Sequence, residues 1–203
     1  MSCCYKESNL LKRELEKLFC ENCCDMCLCP CGCNCVNNIC QCCACPMQSI
    51  LTTLKNRAVK LTQVVLADGT MLSGIIVINE VSDFKVKLVI TGTTPGTFDI
   101  PICQITRLET KNDIVEDLVI VSPPTTSCGQ CMCCEQPMRY KLEELHNAET
   151  DIAVFALGIP SEIGVYREIL TVDMGLLITK YTANPPIYSI YSICKITGVQ
   201  ENV

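Results

Sequence analysis

The chain of 203 residues has no tryptophan and one histidine, His146. A lone histidine with no nucleophile and no orienting group in view offers no start for a catalytic triad, so His146 is expected as a surface or packing side chain. No glycine-rich phosphate loop and no dinucleotide fingerprint occurs. Asp68 and Asp83 sit where turns are expected, not as an acid–base pair. Enzymatic activity and a cofactor are therefore not expected. Lysine and arginine total 16 against 22 acidic residues, a net charge of −6, and no basic run occurs anywhere. Phosphate binding needs clustered cations, so nucleic acid is not an expected partner. No stretch approaches the roughly 20 apolar residues of a membrane helix, and nothing after Met1 reads as a secretory signal. The expectation is a chain made in the cytoplasm, with no membrane partner.

What the chain has in excess is cysteine, 20 in all, a density usual in small disulfide-stapled secreted domains. Three resolutions of that conflict are open: the thiols bind metal, they stay reduced, or they are oxidised later in a compartment reached without a signal peptide. Several pairs have zinc-knuckle spacing, among them Cys20 with Cys23, Cys24 with Cys27, Cys40 with Cys43, Cys42 with Cys45, Cys128 with Cys131 and Cys131 with Cys134. Density alone produces many such pairs. The alternating run Cys27, Cys29, Cys31, Cys33, Cys35 is unlike a closed zinc site and resembles metallothionein-type sequences, which leaves a thiolate protein for zinc or iron–sulfur as the alternative reading. The main expectation is no metal and cross-linking by disulfides. Its candidates are Cys3, Cys4, Cys20, Cys23, Cys24, Cys27, Cys29, Cys31, Cys33, Cys35, Cys40, Cys42, Cys43, Cys45, Cys128, Cys131, Cys133 and Cys134. Adjacent cysteines reach different partners, and a cysteine-rich arm and linker suit bonds between subunits. Cys103 and Cys194, at matching points of a late strand, are expected as buried, inert thiols.

The sequence repeats itself at an offset of 91 residues. Cys40, Cys42, Cys43, Pro46 and Met47 return as Cys131, Cys133, Cys134, Pro137 and Met138. Leu51, Leu54, Asn56, Leu66, Ile78, Val81, Thr91 and Pro95 return as Leu142, Leu145, Asn147, Leu157, Ile169, Val172, Thr182 and Pro186. Ile102, Cys103, Ile105 and Thr106 return as Ile193, Cys194, Ile196 and Thr197. These are 17 identities without a gap, where chance gives roughly one match in fifteen, so a duplication is expected. The domain reading is an N-terminal helix and cysteine-rich arm over 1–36, one repeat over 37–112, a linker over 113–127 and a second repeat over 128–203.

Within the arm, Leu11, Leu15, Leu18 and Phe19 share one face of an amphipathic helix over 8–19. Residues 20–45 have no hydrophobic period, so any order there must come from sulfur chemistry. A short helix is expected over 47–56. Strands follow around Val59–Leu66 and Met71–Ile78, joined by the Asp68-Gly69 turn, with a bend at Gly74. Phe84, Val86, Leu88 and Ile90 alternate as a third strand, and two short strands close the repeat. The linker is expected to hold a strand over Leu118–Val121. The second repeat is read as a helix over Met138–Asn147 and strands over Ile152–Leu157, Glu162–Val172, Leu176–Tyr181 and Tyr188–Val199.

A helix and five bent antiparallel strands in under 80 residues suggest a small barrel. The pattern Val64-x-Leu66-x-Asp68-Gly69-x-x-Leu72-x-Gly74-x-Ile76 resembles the first motif of Sm-like proteins, and Ile100-Pro101-Ile102-Cys103-Gln104-Ile105 resembles that family's closing strands. The resemblance implies a mainly β fold: two tandem five-stranded Sm-like barrels, each preceded by a short helix. It also implies edge-to-edge joining, with six barrels from three chains or a larger ring. The family's uridine site carries over poorly: Asn79 lies near one of its positions, but Ile100-Pro101-Ile102 replaces the arginine–glycine pair. An RNA-binding protein remains a second alternative. In layout, the cysteine runs, acidic charge and β-rich body look like the cysteine-rich proteins of bacterial endospore outer layers (exosporium, coat, appendages). That resemblance implies self-assembly into a ring-based lattice or filament, later locked by disulfides. The partners are other copies of the chain and other cysteine-rich structural proteins.

Overall fold

The structure is a computed structural model that describes residues 41–92, 95–118, 135–173 and 175–202. The arm, with its expected helix over 8–19, and most of the linker lie outside the described residues. The fold is mainly β, built on a large antiparallel sheet. In order come α1 (Gln41–Asn56), β1 (Lys60–Leu66), β2 (Met71–Ser82), β3 (Lys85–Thr91), β4 (Gly96–Pro101), a 3-10 turn (Ile102–Gln104) and β5 (Ile105–Thr110). After a short 3-10 turn at Asp113–Val115 the series recurs: α2 (Gln136–Asn147), β6 (Ile152–Ala156), β7 (Glu168–Asp173), β8 (Leu176–Tyr181), β9 (Ile187–Ser192), a 3-10 turn (Ile193–Lys195) and β10 (Ile196–Glu201). At the 91-residue offset, β4, its following turn and β5 reappear residue for residue as β9, its turn and β10.

Both helices end in the same way. Val59 N–H donates to the Leu54 carbonyl (3.0 Å) and Ala58 N–H to that of Lys55 (2.9 Å); Thr150 and Glu149 donate likewise to Leu145 and His146, both at 3.0 Å. This 6→1 and 5→2 pairing is a Schellman cap, which needs a left-handed residue. Ala58 (φ 54°) and Glu149 (φ 51°) take that conformation although neither is glycine. The cap turns the chain straight into the first strand of each repeat. Further on, the Asp68-Gly69 turn forms as expected, with Asp68 Oδ1 accepting from Thr70 N–H at 2.8 Å. The bend at Gly74 is also real: its φ is 137°, and a Cβ there would lie 2.7 Å from the Thr91 carbonyl oxygen.

The strands form one eight-stranded sheet in the order β4-β3-β2-β1-β5-β9-β8-β7, and a second pair, β10-β6. A single bridge, Ile152 with Arg167, links β6 to β7. Two cores result. The first gathers Ala44, Met47, Ile50, Leu51 and Leu54 of α1, the inward residues of β1–β5, and Leu176, Ile178, Tyr188 and Ile190 from the second repeat. The second holds Leu142 and Leu145 of α2 with Ile152, Val154, Leu177, Tyr191, Ile193 and Ile196. Alternate residues of β8 and β9 thus belong to different cores, because successive side chains of a strand point to opposite faces.

Several expectations need correction. α1 begins six residues early, inside the cysteine run, because Ala44 extends its apolar stripe into the core at 0% exposure. The strand expected over Glu162–Val172 is confined to Glu168–Asp173: a turn at Ile163-Gly164, with Gly164 left-handed at φ 78°, breaks it, and Arg167 makes only an isolated bridge to Ile152. The single strand expected over Tyr188–Val199 is broken by the 3-10 turn at Ile193–Lys195. Of the strand expected over Leu118–Val121 only Leu118 is among the described residues; it is buried against the first core with Val115, and Ile114 packs there too. The ungapped repeat slips by one residue over β6. β5 pairs Leu108 with Val64, whereas β10 pairs Val199 with Val154. The unmatched residue is Thr62, which lies between Leu61 and Gln63, opposite the bulge that Gly74 and Ile75 make in β2. Leu66 therefore corresponds to Ala156, not to Leu157.

Relieving the left-handed strain is expected to stabilise the chain. Ala58→Gly and Glu149→Gly should each add about 0.5–1 kcal/mol in urea unfolding, while Gly74→Ala should destabilise, since Thr91 backbone must move.

Candidate functional site: the buried joint between the repeats

The two repeats are joined by backbone. β5 pairs antiparallel with β9 through Arg107 with Tyr191, Leu108 with Ile190, Glu109 with Ser189 and Thr110 with Tyr188. One face of this ladder is apolar and belongs to the first core. The other face carries charge. Arg107 and Arg167 have side chains only 5% and 6% exposed. Arg107 Nη1 donates to Glu162 Oε1 at 2.6 Å and Nη2 to Gln63 Oε1 at 2.9 Å. Its Nε lies 3.3 Å from Glu109 Oε1. Arg167 Nη2 donates to Glu162 Oε2 at 3.2 Å, and Nη1 to Ser189 Oγ, also at 3.2 Å. Ser189 in turn donates to Glu109 Oε1 at 3.3 Å. Two guanidiniums and two carboxylates make the cluster electrically neutral, the condition under which buried charge is tolerated.

Burial works against the charge on Arg107, but Tyr191, Glu109 and Glu162 around it more than offset this and its pKa is raised. Tyr191 is fully enclosed with the Arg107 guanidinium 5.8 Å above its ring. Its hydroxyl has no partner among the described residues, and burial pushes its pKa up against the pull of Arg167 and Arg107. Outside the cluster, Glu116 fastens the start of the linker to the second repeat. Its Oε1 accepts from Lys180 at 2.7 Å and from the Tyr188 hydroxyl at 2.6 Å, and these bonds hold its pKa below the ordinary value.

A separate buried carboxylate supports the second core. Glu135 Oε1 accepts from Gly175 N–H at 3.0 Å and pairs with Arg139 at 2.9 Å. In the first repeat the matching turn residue, Phe84, donates instead to Gln48 Oε1 at 3.1 Å. Both turn residues are left-handed, Phe84 at φ 58° and Gly175 at φ 74°. Desolvation raises the Glu135 pKa above the ordinary carboxyl value, against the Gly175 bond and Arg139.

Of the cysteines expected to cross-link, Cys42, Cys43 and Cys45 fall on α1, where Cys45 is partly buried. Cys3 through Cys40 and Cys128 through Cys134 lie outside the described residues. Cys103 and Cys194 are not the buried, inert thiols expected. Each sits in a 3-10 turn and is partly exposed, because the turn interrupts the alternation that would have hidden it, and Cys194 is disulfide-bonded. His146 is exposed on the last turn of α2. Asn79 is exposed on β2, while Ile100 and Ile102 are buried. Among the described residues no three His, Cys, Asp or Glu side chains are grouped to hold a metal, and no helix is long and apolar enough to cross a membrane. The sequence reading missed the ionic cluster. Its one local signal was charge inside apolar runs, Arg107 before Leu108 and Arg167 before Ile169. Comparison with known proteins gives no matching family model, no matching curated protein and no matching solved structure.

Removing one partner of a buried ionic cluster strands the others, so Arg107→Met is expected to cost about 3–5 kcal/mol. A cycle with Glu109→Leu should show the pair losing less than the two single losses added; additive losses would mean the two do not act together. For Glu135, a raised folded pKa means stability that is fully present below the unfolded value and is lost as pH rises through the folded one. The advantage of Glu135→Gln over the native chain should therefore grow as pH rises from about 4 to about 7, and equal urea midpoints at both ends would refute it.

Proposed function

We propose that the chain is a structural self-assembling protein. In this reading each repeat is a small Sm-like barrel, copies join edge to edge into a ring-based lattice or filament, and intermolecular disulfides then lock the assembly. The β5–β9 ladder carries the reading. It is a head-to-tail joint between two copies of one unit, made inside a single chain. A joint of that kind uses different surfaces on its two sides and leaves the same two surfaces open at the ends. Here β4 is one edge of the large sheet and β10 one edge of the small one, the other two edges, β7 and β6, being bridged through Arg167 and Ile152. β4 and β10 match β9 and β5, the strands already joined. Unpaired sheet edges are templates for further strands, so one copy presents β10 where the next presents β4.

The order helix, then five strands, and the sheet order β4-β3-β2-β1-β5 within the first repeat support the Sm-like part of the reading. Cys42, Cys43 and Cys45 lie on the first turns of α1, and Cys128–Cys134 come just before α2 in the sequence, so an assembled ring would carry its thiols in repeating clusters. With the arm cysteines from Cys3 to Cys35, these suit bonds to a neighbouring ring or layer. The acidic, cysteine-dense layout points to the outer layers of a bacterial spore, oxidised after assembly.

Electron microscopy with and without reductant tests this. Rings or filaments should persist in reductant, since strand pairing makes them, and non-reducing gels of oxidised material should show a ladder that collapses to a 22.4 kDa band on reduction. Single chains under both conditions would sink the proposal.

A further inference from the structure

Because β5 corresponds to β10 and β9 to β4, the joint inside the chain supplies the register of a joint between copies; this step rests on the assembly reading above. Arg107 with Tyr191, Leu108 with Ile190, Glu109 with Ser189 and Thr110 with Tyr188 translate into Gly198 with Ile100, Val199 with Asp99, Gln200 with Phe98 and Glu201 with Thr97. Pro101 has no N–H to offer a partner. It falls just beyond this register, as its counterpart Ser192 lies just beyond the β5–β9 pairing.

The chemistry of the two joints differs where the register is the same. β5 brings Arg107 and Glu109, which need the oxygens and guanidinium that Glu162, Ser189 and Arg167 supply. β4 has Ile100 and Phe98 at the positions of Tyr191 and Ser189. Ile100 is buried and Phe98 packs on the first core, and neither side chain can accept or donate a hydrogen bond. Placing β5 of one copy on β4 of another would bury a guanidinium and a carboxylate against hydrocarbon, which is strongly unfavourable. β10 brings neither charge at these two positions; on the other face Val199 meets Asp99, whose carboxylate has its own partner in Lys87 of β3, 3.8 Å away. Gly198 is open on that side, since a Cβ there would meet only Phe155, at 3.8 Å, and Gln200 is uncharged.

We infer that Arg107 and Glu109 on β5, set against Gly198 and Gln200 on β10, determine the order in which copies join. The β4 edge accepts β10 of another copy and rejects β5. Copies therefore add only second repeat to first repeat, and the chain's own β5–β9 joint is never exchanged for a joint between two first repeats. Specificity here comes from what the wrong pairing would bury.

The test grafts the β5 charges onto β10 in the full-length chain, in reductant, with mass followed by light scattering and folding by thermal melt. The native chain and Gly198→Ala should assemble. The double variant Gly198→Arg with Gln200→Glu should stay as single chains. Gln200 Oε1 is buried without a hydrogen-bond partner among the described residues, so a carboxylate there lowers the melt by itself; should the double variant melt early, Gly198→Arg alone serves, with at least about a tenfold rise expected in the concentration for half-assembly. Assembly of the double variant like the native chain, or no rise for Gly198→Arg, would overturn the inference while leaving the assembly reading intact. A native chain that stays single in reductant would overturn the assembly reading itself.

Discussion

Everything in this molecule depends on one ladder, the antiparallel pairing of β5 with β9. It joins the two five-strand units through one eight-stranded sheet, and it fixes which face of each strand meets which core. The ladder is stabilised differently on its two faces. On one, Tyr188 and Ile190 complete the apolar core of the first repeat. On the other, two arginines and two glutamates neutralise one another out of water. The apolar face supplies most of the free energy, since burial is favourable without directional demands. The ionic face contributes little net stability but has a narrow tolerance, because removing any member leaves a charge without a partner.

The duplication makes the divergence of the two repeats readable in physical terms. Backbone-determined features survived: the Schellman caps with their left-handed Ala58 and Glu149, the left-handed turn residue at Phe84 and Gly175, and the 3-10 turn before the last strand. Side chains at the joint did not. Ser189 and Tyr191 stand where the first repeat has Phe98 and Ile100, and Arg107 and Glu109 where the second has Gly198 and Gln200. The turn after the first strand also changed. Without Asp-Gly, and with a proline two residues past Gly158, the second repeat opens a loop. That loop delivers Glu162 to the arginines.

Features that depend on near neighbours could be read from the sequence. The Asp68-Gly69 hairpin, the Gly74 bend and the alternation from Val86 to Ile90 each follow from a few adjacent residues. The offset of 91 found the second repeat where its own motifs had faded. The ionic cluster could not be read, because its members are far apart along the chain: Glu162 lies 55 residues from Arg107. The Cys103 and Cys194 thiols were misplaced because strand alternation was carried through a turn that breaks it. The early start of α1 was missed because cysteine composition hid the contribution of Ala44 to the apolar stripe.

The alternation of β9 between two cores bears on how the chain comes apart. Tyr188 and Ile190 are removed from water only if the first repeat is folded, and Tyr191 only if the second is. Loosening either core uncovers hydrocarbon belonging to the other, so neither half has an independent melting transition to offer. A molecule built from two structural repeats is thus expected to unfold as a single cooperative unit. Partial opening at one end, the usual first step toward proteolysis or misassembly in tandem-repeat chains, is penalised by the loss of both cores at once.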